Sequence, residues 1–191
     1  MGDPFARAVA AQTLSPEDEA ELIRAAQSNP ARFRPLYLQW VTPVYKYLIA
    51  RLRDPLEAED LTSQVFLTAC EQLPRYKHRA RFAAWLFTIA RNKARDYYRT
   101  AGRSASLDEA EAHGADPDLL AQAIQSDEIQ RLERTIRALP EAELDLVRLR
   151  FTAGLTHADI GVLLGKREDA VRKQLARLLT RLQTQMEDAD A

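Results

Sequence analysis

The amino-acid sequence predicts an all-α protein, two small helical domains joined by a flexible acidic linker, on three observations. Apolar residues recur at steps of three and four along most of the chain, and strands have nowhere to sit. Charge is partitioned along the chain although it nearly cancels in sum, to a formal net charge of −1. A small, polar, acidic stretch, "SASLDEAEAHGADPD" (Ser104 to Asp118), interrupts the periodicity and carries Gly114 and Pro117, as a linker does. The expected division is therefore a first domain at 1–103, a linker at 104–126 and a second domain at 127–191.

The elements follow in order. Phe33, Leu36, Tyr37, Trp40, Val41, Val44 and Leu48 lie on one face of a first long helix. A second begins at "DPLEAEDLTSQVF", where Asp54 caps, Pro55 suits the first helical position and Glu57 can reach back to the cap. Its inner face is read as Leu61, Val65 and Ala69 with Phe66, Cys70 and Leu73. Glu57, Glu59 and Asp60 share this short segment with those apolar residues, a mixture that core filling alone does not need. Phe82, Trp85, Leu86, Ile89, Ala90 and Tyr97 make the third face, which ends before "RTAGRSAS". In the second domain Pro140 opens a helix with Leu144, Val147, Leu149 and Phe151 as its apolar contacts, and Gly154 is placed to end it. Thr156 and Asp159 form a capping box for a short helix from His157 to about Leu164, Gly165 permits a tight turn, and a last helix starts near Glu168. That helix carries Val171, Leu175, Leu178 and Leu182 on one face, leaving Arg172, Lys173, Gln174, Arg177 and Arg181 outward.

Two short helices joined by a glycine turn, the second basic outside, form a helix-turn-helix at 156–178. Arginine and lysine pair with guanine O6 and N7, glutamine with adenine N6 and N7, and further cations with phosphates. The alternative is a helical hairpin whose basic side chains are merely solvated.

The charge distribution agrees with nucleic-acid contact in two places. Residues 1 to 74 hold 7 basic and 10 acidic side chains, whereas Arg75 to Arg103 hold 9 basic and only Asp96. Ser104 to Gln130 has 7 acids and no Lys or Arg, and Arg131 to Gln185 has 11 basic against 7 acidic. Two positive blocks thus flank a negative one, two electrostatic footprints joined by an acidic connector. In the first block Thr88, Arg91, Asn92, Arg95 and Arg99 project from one broad side of the third helix, with Phe82, Trp85, Tyr97 and Tyr98 nearby. Cations can follow a phosphate backbone and rings can stack on unpaired bases, so this mixture suits a single strand better than a duplex groove. The competing reading puts Phe82 and Trp85 in the core, with only the arginines at the surface.

Other classes of function find little support. With 191 residues and 46% hydrophobic content the chain can build one ordinary domain or two small ones. Cys70 is the only cysteine, so no internal disulfide forms, no metal site rests on it, and it is read as a small core residue in a reducing compartment. His78, His113 and His157 are isolated, and neither a phosphate loop nor a nucleophile elbow is present, so no catalytic residue, metal or cofactor is expected. "AAWLF" falls far short of a membrane span, "MGDPFARAVAAQ" lacks signal-peptide features, and position 6 lacks the hydroxyl of a myristoylation site; a cytoplasmic protein without membrane contact is expected.

"EAEDLTSQVF", "FAAWLFTIARNKARDYYR" and "ALPEAELDLVRLRF...GLTHADIGVLLG...AVRKQLARLLTRL" resemble the two conserved regions of the sigma-70 family of RNA polymerase sigma factors. The short chain with only two such regions is similar to the extracytoplasmic function (ECF) group, over residues 17 to 103 and 127 to 185. The resemblance implies a sigma factor that binds RNA polymerase core and directs promoter-specific initiation, and not an enzyme. It places Glu57, Asp60, Leu61, Gln64 and Phe66 against the clamp helices of the largest catalytic subunit, and adds the flap region and an anti-sigma factor as partners. Ser63 and Gln64 stand where many relatives carry Gln and Glu. The minus-ten element, melted and held as a single strand, is assigned to Lys77, Arg79, Arg81, Phe82, Arg91, Asn92, Arg95 and Arg99, although "KHRAR" lacks the loop glycine often found in the family. The minus-thirty-five duplex is assigned to Arg167, Arg172, Lys173, Gln174 and Arg177, with Arg167 where relatives place a Ser or Thr cap. The rival is a free-standing helix-turn-helix regulator that binds duplex DNA without polymerase and leaves the Asp60 helix and the Arg91–Arg99 stripe unused.

Overall fold

The computed structural model describes residues 16–77, 81–104 and 127–187, and every regular element among them is helical. The chain divides into two compact units, Met1–Asp108 and Glu109–Ala191. From residue 105 onward the expected linker lies outside the described residues, as do His78, Arg79 and His113.

In the first unit α1 spans Pro16–Ser28, with Glu17, Asp18 and Glu19 in its first turn, where the helix dipole favours carboxylates. Ile23 and Ala26, three residues apart, form its buried edge. Asn29 accepts a hydrogen bond from the Ala31 N–H (3.0 Å) and starts a short 3-10 turn, Pro30–Phe33, that leads into α2, Arg34–Leu52. Leu36, Trp40, Val44, Tyr47 and Leu48 are its buried residues; Tyr37 is 40% exposed and leans edge-on against Phe66, with ring centroids 4.8 Å apart. Arg53, at φ 60, ends α2 in the left-handed region, and its N–H donates to the Ile49 carbonyl at 2.9 Å.

The expected Asp54 cap and Pro55 start of the next helix are observed, without the return bond from Glu57. Asp54 Oδ1 accepts from the Leu56 N–H (2.9 Å) and the Glu57 N–H (3.2 Å), and α3 runs Pro55–Gln72. Ala58, Leu61, Thr62, Val65, Phe66 and Ala69 face inward; Thr62 is tolerated there because its hydroxyl donates to the Ala58 carbonyl at 2.6 Å. Cys70 is exposed instead of belonging to the core, because it lies about 100° around the helix from Ala69. After a 3-10 turn, Leu73–Arg75, helix α4 spans Phe82–Ser104 and packs against both α2 and α3. That double contact buries Phe82, Leu86, Phe87, Ile89, Ala90 and Ala94, a wider face than the sequence pattern outlined. Phe87 is fully buried, edge-on to Tyr47 (5.5 Å) and Trp40 (6.3 Å), and these rings are the centre of the unit.

In the second unit α5 spans Asp127–Arg137 and α6 spans Glu141–Val147, with Pro140 at the N-cap position. The expected continuation to Gly154 does not stay α-helical. A π-turn, Arg148–Thr152, inserts an extra residue, and the Ala153 N–H donates five residues back to Arg148 at 2.9 Å. Leu146 and Leu149 are buried while Leu144 and Val147 are half-buried, and Phe151, two residues round from Leu149, is 46% exposed, so Phe151 is not the core contact the spacing suggested. Arg148 is buried and pairs with Glu141 at 2.9 Å.

Helix α7, His157–Leu164, starts with the expected capping box: Thr156 Oγ1 accepts from the Asp159 N–H (3.1 Å), and the Asp159 carboxylate accepts from the Thr156 N–H (3.2 Å). It ends at Gly165, φ 65, with the Lys166 N–H donating to the Gly161 carbonyl at 2.8 Å, and α8 follows as Glu168–Glu187. The turn is so close that a Cβ on Gly161 would stand 2.8 Å from the Lys166 carbonyl oxygen, a backbone atom that cannot swing away. Gly161→Ala, which in an open helix would stabilise by up to ~1 kcal/mol, is therefore expected to destabilise by about 1–3 kcal/mol. Urea unfolding would show the sign directly, and a stabilised variant would disprove the contact.

Candidate functional site

Three surfaces emerge, two on the first unit and one on the second. One outer face of α3 carries Leu56 (78% exposed), Glu59, Asp60, Ser63 and Leu67 (66% exposed), with Glu57 and Gln64 half-buried at the edge. Gln64 donates to Asp60 Oδ2 at 2.6 Å across one helical turn, which holds the carboxylate while its remaining lone pairs face solvent. A guanidinium brought here would find an oriented acceptor flanked by apolar carbon, the mixture that protein interfaces use. Leu61 and Phe66 do not belong to this face. They are 4% and 5% exposed, Phe66 packing on Phe33 and Tyr37, so their part is to seat the helix. Leu56 and Leu67, which the motif did not single out, are exposed on this face because both fall off the inward spacing of Ala58, Leu61, Val65 and Ala69.

The second surface is the outer side of α4. Asn92, Arg95 and Arg99 are exposed and Arg91 is half-buried, at helix positions that stack on one side; Thr88 is exposed one turn earlier. Arg95 donates to the Asn92 side-chain oxygen at 3.2 Å, and Arg99 pairs with Asp96 at 3.2 Å. Such solvated contacts cost little to exchange for a phosphate. Lys77 and Arg81 are exposed on either side of residues 78–80; Arg79 lies outside the described residues. Phe82 is 1% exposed and belongs to the core, because it caps the inner face of α4 against Tyr76. Trp85 is half-buried, its ring centroid 4.7 Å from Tyr76 and 5.4 Å from Phe82. Tyr76 is buried, and burial, then the Glu19 carboxylate, push its phenol up to about 12, so the ring stays neutral. Tyr98 is 45% exposed and its hydroxyl donates to the Arg51 carbonyl at 2.6 Å, tying the far part of α4 to the end of α2.

The third surface is α8. Val171, Leu175, Leu178 and Leu182 are all buried, as their spacing predicted. Arg167, Arg172, Lys173 and Arg177 are exposed, and Gln174, half-buried, accepts from Lys166 Nζ at 2.8 Å. Arg172 pairs with Asp169 one turn back, whereas Arg181 pairs with Glu143 and braces α8 on α6. The Arg167 carbonyl accepts from the Ala170 and Val171 N–H groups, which makes it the residue that starts the helix, with Glu168 and Asp169 favouring the first turn. His157, at the start of α7, has its pKa lowered by burial, then by Arg150, with Arg172 adding to this and Glu168 opposing, and is neutral at pH 7.

Among the described residues no group of three or more His, Cys, Asp or Glu is placed to hold a metal ion, and no helix is long and apolar enough to cross a membrane. Partial desolvation, then the Glu71 carboxylate, raise the pKa of the exposed Cys70 thiol.

Family models for Sigma-70 region 2 and Sigma-70 region 4 match residues 36–104 and 129–182. The ECF RNA polymerase sigma factor SigD of Mycobacterium tuberculosis is 32% identical over 160 residues, which cover 78% of this chain and 74% of that protein. The chain belongs to the sigma-70 family, in its ECF group. Other ECF sigma factors agree: RpoE of Cereibacter sphaeroides is 30% identical, covering 84% of this chain and 93% of its own length, and BldN of Streptomyces coelicolor is 34% identical over 83% of this chain. The sigma factor described here spans 65% of the length of BldN. Two solved structures share its fold: CnrH in complex with the cytosolic domain of CnrY (TM-score 0.60, 24% identity, 89% of this chain and 97% of that one), and the sigma factor RpoE in complex with the anti-sigma factor NepR from Bartonella quintana (TM-score 0.61, 20% identity, 83% and 98%). A sigma factor regulates transcription and is not itself an enzyme.

Proposed function

We propose that this sigma factor binds RNA polymerase core through the outer face of α3, grips the melted minus-ten strand with α4, and reads the minus-thirty-five duplex with α8. The observation that carries the reading is the segregation of three chemically different surfaces on rigid helices. An acidic and apolar face stands on α3, and separate cationic faces stand on α4 and α8, each backed by a buried apolar side. On α3 the contacts are Glu57, Glu59, Asp60 and Gln64 with Leu56 and Leu67. On α4 they are Arg91, Asn92, Arg95 and Arg99, with Lys77 and Arg81 and the half-buried Trp85 beside them. On α8, Arg172, Lys173, Gln174 and Arg177 meet base edges and phosphates, and Arg167 meets the backbone at the helix start. The flap region of polymerase is the partner expected at the second unit. An anti-sigma factor would act, on this reading, by covering surfaces that polymerase or promoter needs, in the cytoplasm where core enzyme works.

Transcription by purified core polymerase with and without this protein, on a promoter library, tests the reading. Start sites that appear only in its presence and share two elements support it. Binding of duplex DNA that is indifferent to polymerase would favour the free-standing regulator instead. Asp60→Arg sharpens the test, because reversing a charge that becomes desolvated at an interface costs several kcal/mol, whereas an exposed residue contributes little to the fold. Association with core is expected to weaken by about 100-fold, measured by pull-down or anisotropy, with helix content unchanged. Equal association of variant and parent would remove α3 as the docking face.

A further inference from the structure

Gln27 lies on α1, ahead of the segment 36–104 matched by the region 2 model, and nothing in its charge or spacing singles it out. Its side chain nevertheless joins distant parts of the first unit. Nε2 donates to the Leu73 carbonyl at 3.0 Å and to the Tyr76 carbonyl at 2.8 Å, 46 and 49 residues further on. A carboxamide nitrogen carries two protons, and both are used. The opposite rotation of the amide would set its oxygen against two carbonyl oxygens, so the donors must point this way.

The two carbonyls bracket the 3-10 turn that follows α3. Leu73 begins it and also accepts from the Tyr76 N–H at 3.0 Å, while Tyr76 is the residue on which the chain leaves the turn. The amide therefore sets the direction in which Lys77 departs. It also sets the Tyr76 ring, which is 8% exposed, stands edge-on to Phe82 at 6.0 Å and lies against Trp85 at 4.7 Å. Ile23 and Ala26, buried at 1% and 3%, hold α1 rigidly enough for one amide to act as a brace.

We propose that Gln27 is a positioning residue for promoter opening: by bridging the Leu73 and Tyr76 carbonyls it holds Tyr76, Trp85 and Lys77 in the arrangement that receives the unpaired strand. The inference rests on the proposed minus-ten role of α4. It acts through the main chain of the turn and touches no DNA, so its loss separates strand capture from duplex recognition by α8 and from docking by α3.

The test uses the full chain assembled with core polymerase on promoters recovered from a randomised library. Gln27→Met keeps the length of the side chain and removes both donors. Opening, read as permanganate reactivity of unpaired thymines, is expected to fall by about tenfold with two hydrogen bonds lost. Polymerase assembly and retention of duplex promoter before opening should stay within about twofold of the parent by the same scale. Gln27→Glu should be at least as defective at pH 8 and recover in part as pH falls, because a protonated carboxyl regains one donor. Tryptophan emission should change in both variants as Tyr76 shifts against Trp85. Normal opening by Gln27→Met, or a loss of duplex retention equal to the loss of opening, would overturn the proposal. Failure of the parent protein to start transcription anywhere in the library would instead bring down the sigma-factor mechanism, and this inference with it.

Discussion

Replacing Arg172, Lys173 and Arg177 together with glutamate is expected to lower affinity for duplex promoter DNA by at least about a thousandfold. Each good base or phosphate contact from such a side chain is worth about 1–3 kcal/mol, and reversal adds repulsion from the phosphate backbone. The salt dependence should flatten as well, because each phosphate contact removed takes about 0.9 from the slope of log affinity against log salt. The fold should survive. All three side chains are exposed, and the pair of Arg172 with Asp169 is solvated on both sides, so its loss costs little. The buried stripe Val171, Leu175, Leu178 and Leu182 is untouched. Anisotropy titrations over a range of salt, with circular dichroism as a control, check the result. A well-folded variant that binds duplex like the parent would remove α8 as the reading helix.

The second large effect falls on stability. Phe87→Ala removes a fully buried ring that two other aromatic side chains clasp edge-on, and truncating such a residue costs about 3–5 kcal/mol. Small proteins are stable by only about 5–15 kcal/mol, so most of the margin of the first unit would go. Phe87 lies one turn before the half-buried Arg91 on α4, with the exposed Arg95 and Arg99 further along, so loosening the core would also release the proposed strand-binding surface. Phe87→Leu keeps most of the volume and should cost less, about 1–1.5 kcal/mol. Denaturant melts of both variants give the comparison, and equal stability of Phe87→Ala and the parent would contradict the packing. The effect on function should follow the melt: promoter opening lost at temperatures where the variant unfolds and regained on cooling.

The surfaces were only partly legible in the sequence. Phe82, Leu61 and Phe66 were assigned to partners because a motif or a nearby cation suggested contact, yet all three are buried, Phe66 against Phe33 and Tyr37 and Phe82 against Tyr76. Cys70 was assigned to the core by its apolar character, and one residue of helical rotation carries it outside. Phe151 was expected to share a face with Leu144 and Val147, but the buried face runs through Leu146 and Leu149, about 200° of helical rotation from Phe151. By contrast the exposed cations of α4 and α8 could be read directly, because a long charged side chain is seldom buried without a partner.

The sequence by itself determined the helical class, the Asp54 cap, the Thr156 and Asp159 box, the left-handed turn at Gly165, the apolar stripe of α8 and the partition of charge. Each of these depends on residues within about one or two helical turns, so local propensity and spacing are sufficient to specify it. Tertiary structure alone decided that α4 is buried on two sides by α2 and α3, that Leu56 and Leu67 stay outside, and that Gln27 reaches across to the Leu73 turn. Those outcomes are set by which apolar surfaces meet when distant helices exclude water together. Spacing along one helix shows that it has a face to bury, but not which neighbour covers it or how far round the cover extends.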